Sequence, residues 1–196
     1  MWDKRYAEPG YLFGTEPAAF LAREAGVIAP GARVLCLADG EGRNSVYLAG
    51  LGLDVVAMEA SGVALGKARD LAKLRGVTVE FRQSGIEDWD WDQPFDAVVG
   101  VFIQFAPPAM RKAIHQGIAR AVVPGGLVLL HGYAPRQIGY GTGGPPVVEN
   151  LYTLEGLRAD FPSWQVLRAE DYDADLAEGS RHVGKSALID FIARKP

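Results

Sequence analysis

The sequence predicts an α/β protein: a doubly wound, seven-stranded, mostly parallel sheet in three layers, with an antiparallel last strand. Three observations predict it. Short apolar runs alternate with helical patterns from residue 33 to residue 131, as expected of right-handed βαβ units. The first run, Val34 to Leu37, stops at Asp39-Gly40-Glu41-Gly42, and a helical pattern opens at Arg43-Asn44-Ser45. The link between the last two runs is shorter than a helical crossover needs, so those strands should pair antiparallel.

The elements follow in order. Residues 1–15 carry Trp2, Tyr6, Tyr11 and Phe13 among Pro9-Gly10 and Gly14, too irregular a stretch to assign. Aromatics in such an arm normally pack on the body of the domain. The alternative is that Tyr11 and Phe13 close over a ligand. Thr15-Glu16-Pro17 reads as a helix start, with Thr15 as cap and Pro17 where its missing N–H is harmless. Phe20, Leu21, Ala25 and Ile28 share a face, and Pro30-Gly31 ends that helix. Strand one covers about 33–37, and a helix runs from Arg43 to Leu51. Strand two is Asp54 to Met58, followed by Glu59. Ser61 caps the next helix, with Leu65, Ala68, Leu71 and Ala72 at helical spacing and Gly76 as stop.

Strand three is Val77 to Arg82, followed by an acidic loop bearing Trp89 and Trp91. Strand four, Phe95 to Val101, is nearly all apolar, as a strand buried on both faces should be. Pro107-Pro108 opens a helix with Met110, Ile114, Ile118 and Val122 in its apolar stripe. His115 sits beside Arg111 and Lys112 and reads as solvated. Pro124-Gly125-Gly126 turns into strand five, Leu127 to His131. Residues 134–150 hold four glycines and three prolines and read as a structureless lid or binding loop. Thr153 caps a short helix with Leu154, Leu157 and Phe161. The last strands lie near 163–168 and 185–193, joined by a charged connection containing Arg181-His182.

Composition narrows the function classes. The 196 residues, 48% of them hydrophobic, suffice for one domain over 1–196, with an arm and helix in 1–30 and the lid at 134–150. The net charge of −4 gives no basic face for nucleic acid. One cysteine, Cys36, excludes an intrachain disulfide and suits a reducing, cytoplasmic setting. No apolar run marks a signal peptide or a membrane span. Neither a nucleic-acid nor a membrane partner is expected, and the chain should be a monomer or homodimer.

Four features in order resemble the class I S-adenosylmethionine-dependent methyltransferases. They are V-L-C-L-A-D-G-E-G at the first turn, Glu59 closing strand two, F-D-A-V-V opening strand four, and V-V-P-G-G before strand five. The stretch G-E-G-R-N-S-V-Y-L-A is further similar to the tellurite-resistance methyltransferases and, more distantly, to the thiopurine methyltransferases. The resemblance implies a Rossmann-like methyltransferase fold and S-adenosylmethionine as cofactor, with S-adenosylhomocysteine as product. It implies a cofactor set of Ala38, Asp39, Gly40, Glu41, Gly42, Asn44, Glu59, Ala60, Ile86, Glu87 and Val101. Glycines let the backbone approach the ligand, and a carboxylate at Glu59 accepts ribose hydroxyls. By the same resemblance Ile86 would face the adenine, and Glu87 or Asp88 would accept from its amine. The chain departs from the pattern at Cys36, where the family carries an acid, at Ala38, where it carries a glycine, and at Gly85. It lacks the N-P-P-[YF] motif after strand four.

Methyl transfer from a sulfonium is an in-line displacement, so alignment and exclusion of water come first. Acceptor-side candidates follow the strand ends: Phe102, Gln104 and Phe105 after strand four, His131 and Tyr133 ending strand five, and Tyr140 in the lid. His182 is the candidate base, since a neutral imidazole takes a proton near pH 7. Arg181 is the candidate for an anionic acceptor. The scattered histidines show no metal-ligand spacing. The expected acceptor is a small molecule; the resemblance suggests a thiol or a selenium or tellurium oxyanion. The alternatives are a cofactor-binding sensor without turnover and, weaker, a nicotinamide-dependent oxidoreductase.

Overall fold

The computed structural model describes residues 2–196. Its seven strands form one sheet in the order β3-β2-β1-β4-β5-β7-β6, and its residues divide into two compact units.

The first unit runs up to Trp89 and includes Glu178–Arg181. It holds α1 (Trp2–Tyr6), α2 (Ala19–Glu24), β1 (Arg33–Leu37), α3 (Arg43–Gly50), β2 (Asp54–Glu59), α4 (Gly62–Arg75) and β3 (Glu80–Gln83). β1 pairs parallel with β2 from Arg33↔Asp54 to Leu37↔Met58, and β2 pairs parallel with β3. α4 is capped as its sequence dictates: Ser61 Oγ accepts from Ala64 N, and Gly76 takes the left-handed conformation at φ 68°. The helix before β1 starts later than expected. Ala18 is its N-cap, Thr15 makes no cap, and the Ala18 N–H goes instead to Asn44 Oδ1 at 2.9 Å. α1 was not legible in the aromatic arm.

The second unit holds Asp90–Ala177 and His182–Pro196. Its elements are β4 (Phe95–Val101), α5 (Pro108–Ala121), β5 (Val122–Tyr133), α6 (Leu154–Asp160), β6 (Gln165–Glu178) and β7 (His182–Arg194). β4 and β5 are parallel, and β5 and β7 antiparallel, from Leu127↔Arg194 to Tyr133↔Leu188. Gly117 on α5 leaves room for Trp91, since a Cβ there would come within 2.4 Å of the indole.

Three expectations need correction. Pro124-Gly125-Gly126 lies within β5, where the β4 register shifts between Phe95 and Ala97. Residues 134–150 are not structureless, because 3₁₀ turns form at Pro135–Gly139 and Val148–Asn150. The charged connection is strand. β6 and β7 extend until three residues separate them, because Tyr172, Ala174 and Leu176 alternate with Asp171, Asp173 and Asp175. The apolar set packs toward Tyr133, Leu151 and Leu188, which is the period-2 pattern of a half-buried strand.

Candidate functional site

In the first unit the turn after β1 is built around Glu59. The Gly40 N–H donates to Glu59 Oε2 at 2.9 Å, and the Ser61 N–H donates to Oε1 at 2.8 Å. Glu59 is buried, yet each oxygen keeps a further lone pair for a hydroxyl donor. Gly40 and Gly42 have φ of 64° and 89°. Ala38 sits at φ 46°, so alanine holds the left-handed conformation that the family gives to glycine. Gly42 serves packing: a Cβ there would lie 2.7 Å from the Ala68 Cβ on α4. Asp39 accepts from Ser45 Oγ at 2.5 Å and Ser45 N at 3.3 Å. Burial pushes the Asp39 carboxyl up to about 7, against the pull of those two bonds.

The N-terminal arm covers this turn. Tyr6 is buried, and its hydroxyl lies 2.9 Å from where a Gly40 Cβ would stand. Burial, reinforced by Glu59, Glu41 and Asp39, holds the Tyr6 phenol far above its ordinary value. Ser61 Oγ donates to Asp3. The Glu41 carboxylate accepts from Leu12 N at 2.6 Å and Lys67 Nζ at 2.8 Å, while Lys67 also donates to the carbonyls of Glu8 and Gly10. Tyr11 donates to the Lys67 carbonyl and packs toward Val46, Leu71 and Ala72, which is the packing role of an arm aromatic. The side chains of Glu41 and Asn44 therefore hold the arm and α2. Ile86 is buried, while Ala60 and Glu87 are exposed. Cys36 is buried, and burial pushes its thiol well up, so it is a core residue. Sequence reading missed Tyr6, whose one signal was its aromatic character.

In the second unit the acceptor-side candidates converge on Phe102. That residue follows Val101 at the end of β4 and takes φ 55°. Its ring stacks on His182 at 4.1 Å, meets His131 edge-on at 4.8 Å, and lies 4.8 Å from Tyr133. Tyr133 Oη and His182 Nδ1 are 2.6 Å apart, both residues buried. His131 Nδ1 lies 2.7 Å from Asp190 Oδ1, which also accepts from the Tyr172 hydroxyl. Gly144 brings the 134–150 segment against the Tyr133 ring, where a Cβ would stand 2.9 Å away. Other candidates are engaged elsewhere. Gln104 Oε1 accepts from Tyr133 N and its Nε2 donates to Tyr133 O. Tyr140 donates to Asp173 at 2.6 Å beneath Lys185. Phe105 is exposed. Arg181 is exposed at the hairpin tip, while His182 is buried. His115 is not solvated: it is buried, 2.7 Å from Asp160, with Tyr152 and Phe161 around its ring. Among the described residues no three His, Cys, Asp or Glu are grouped to hold a metal ion.

Comparison with known proteins bears on the fold that carries these residues. The methyltransferase domain family matches residues 34–126. An uncharacterized methyltransferase of Synechocystis is 36% identical over 105 residues, covering 53% of this chain and 48% of that protein. The chain thus spans about half the length of that curated relative. Three solved structures share the fold. One, described by the conversion of a disulfide bond into a thioacetal group during echinomycin biosynthesis, superposes with TM-score 0.79 at 21% identity, covering 99% of this chain and 90% of that one. TehB from Haemophilus influenzae gives 0.73 at 18%, covering 100% and 66%. Magnesium protoporphyrin IX methyltransferase from Synechocystis with bound S-adenosylmethionine gives 0.63 at 16%, covering 91% and 76%. S-adenosylmethionine is the cofactor of such methyltransferases, and the turn fits it in that each Glu59 oxygen accepts one backbone N–H and keeps a lone pair for a ribose hydroxyl, with the Tyr6 hydroxyl lying over Gly40. The ordered motifs, the strand order and the domain match over residues 34–126 together make this chain similar to the S-adenosylmethionine-dependent methyltransferases.

Proposed function

We propose that the chain methylates a small-molecule acceptor through a soft nucleophile, a thiol before a selenium or tellurium oxyanion, with His182 as proton acceptor. The carrying observation is the buried Tyr133–His182 pair, 2.6 Å apart under the Phe102 ring. When bound, S-adenosylmethionine supplies an electrophilic methyl group on a sulfonium. The acceptor sulfur would form its new bond to that methyl carbon, and the cofactor would depart as S-adenosylhomocysteine with the electron pair of the broken S–C bond. The thiol proton goes to His182. In the tautomer with Nδ1–H donating to Tyr133 Oη, the lone pair lies on Nε2, the nitrogen suited to take that proton. Phe102, held at a positive φ, gives the acceptor an apolar wall that excludes water. Glu59 and the backbone from Ala38 to Gly42 would hold the cofactor, with Ile86 as an apolar neighbour of its nucleoside. The thioacetal-forming structural relative and TehB support a sulfur or chalcogen acceptor by analogy of fold. The buried free thiol Cys36 suits a cytoplasmic setting.

Turnover of a thiol panel with labelled cofactor tests the reading. The wild type should methylate at least one small thiol. His182→Gln should lower kcat by about 10²–10⁴-fold, in the range of general-base losses, and leave cofactor affinity unchanged. Tyr133→Phe should lower kcat less and displace the acidic limb of the pH–rate profile. Wild-type activity in His182→Gln would overturn the assignment of the base.

A further inference from the structure

Arg43 opens α3 directly after Gly42, and its side chain is only 7% exposed. Its Nη2 donates to Glu178 Oε2 at 2.8 Å. Its Nη1 is fully buried and has no hydrogen-bond partner among the described residues. The charge of the guanidinium favours the ionised form of Asp39. A buried guanidinium donor without an acceptor is costly, and such a group in a native fold calls for an explanation.

The charges around the turn supply one. Asp39, Glu41 and Glu59 ring it with carboxylates, which suit the cationic groups of the cofactor. The cofactor's amino-acid tail also ends in a carboxylate, which needs a donor. Lys67 cannot serve, because its three N–H bonds go to Glu8 O, Gly10 O and Glu41 Oε1. Arg43 is a nearby buried cation with a donor to spare, and charge-assisted bonds from a guanidinium to a carboxylate are strong. We propose that Arg43 Nη1 receives the carboxylate of the cofactor's amino-acid tail, while Glu178 fixes the guanidinium from its other side. The inference rests on the family's cofactor and adds a residue to the site that holds it.

Calorimetric titration tests it without knowledge of the acceptor. The probes are S-adenosylhomocysteine, which carries the tail, and 5′-methylthioadenosine, which lacks it. Arg43→Gln should weaken S-adenosylhomocysteine tenfold or more and 5′-methylthioadenosine less than twofold. Arg43→Lys should fall between Arg43→Gln and the wild type. Glu178→Gln loosens the guanidinium but keeps its donors, so it should weaken S-adenosylhomocysteine by less than Arg43→Gln does. That variant separates loss of the contact from loss of the fold, and circular dichroism checks that each variant is folded. Unchanged S-adenosylhomocysteine affinity in Arg43→Gln would overturn the proposal. So would equal losses for both probes, or an Arg43→Gln effect confined to an anionic acceptor. Failure of the wild type to bind either probe would instead count against the cofactor reading.

Discussion

Asp39 shows how one side chain in the glycine turn couples folding to ligand charge. Its carboxyl is pushed up to about 7 by burial, against two bonds from Ser45. A carboxyl whose folded value is raised favours the folded state while it is protonated. That contribution is complete below the ordinary value near 4 and is lost as pH rises toward 7. Above pH 7 the ionised group is a standing cost, on the order of 2–4 kcal/mol at most for a shift of this size. Asp39→Asn removes the titration and keeps one acceptor for Ser45. Denaturant melts at pH 4.5 and pH 8 should therefore show the variant gaining on the wild type as pH rises. A gap independent of pH would contradict the role of burial. A cation arriving beside Asp39 would favour its ionised form, so ligand charge would offset part of the cost of burial. Ala38, beside it, takes the left-handed conformation at φ 46°, at a strain of about 1–2 kcal/mol.

The β6–β7 hairpin illustrates what an element can do beyond its own pairing. Its tip, Glu178–Arg181, belongs to the first unit. Ser180 N and Oγ both donate to Leu12 O, and Glu178 accepts from Ala19 N and Arg43. Gly179 at φ 63° lies so close to the arm that a Cβ would stand 2.3 Å from the Phe13 carbonyl carbon and 2.6 Å from Gly14 N. Those neighbours are backbone and cannot swing aside. Gly179→Ala should cost about 2–4 kcal/mol, combining left-handed strain with overpacking. Gly141→Ala, at φ 66° with nothing within 4 Å, should cost only about 1 kcal/mol. Thermal melts compare the two, and limited proteolysis should cut residues 8–15 faster in Gly179→Ala alone. This contact was not legible in the sequence. The central strands were, because β1, β2 and β4 are buried apolar runs. Glu59 beside Gly40 was legible too, since both follow from the chain order of strand, turn and helix. The length of β6 was hidden because its aspartates masked the alternation of Tyr172, Ala174 and Leu176. His115 misled for a related reason: its charged neighbours suggested solvent, while Tyr152 and Phe161, which enclose it, arrive from far along the chain. Tyr6 and Arg43 depend on such distant partners as well.

The proposed cofactor cradle is drawn from the first unit: the turn after β1, the end of β2, the start of α4, and α1. Ligand binding should therefore stabilise that unit directly. A ligand that binds only the folded state, present at a hundred times its dissociation constant, adds about 2.7 kcal/mol. For a chain of this length each kcal/mol moves Tm by roughly 2–4 °C, so S-adenosylhomocysteine should raise Tm by about 5–10 °C. Hydrogen exchange should place the added protection mainly in residues 2–6, 33–48 and 54–68. The arm is the discriminating region. Tyr6 lies against Gly40 and Asp3 holds Ser61, so a ligand seated beside Glu59 meets α1 as well as the turn. If α1 closes over the ligand, its amides slow with the rest of the cradle. Protection confined to 33–68, with residues 2–6 exchanging faster than in the free protein, would mean that the ligand displaces Tyr6. That outcome would remove α1 from the cofactor site.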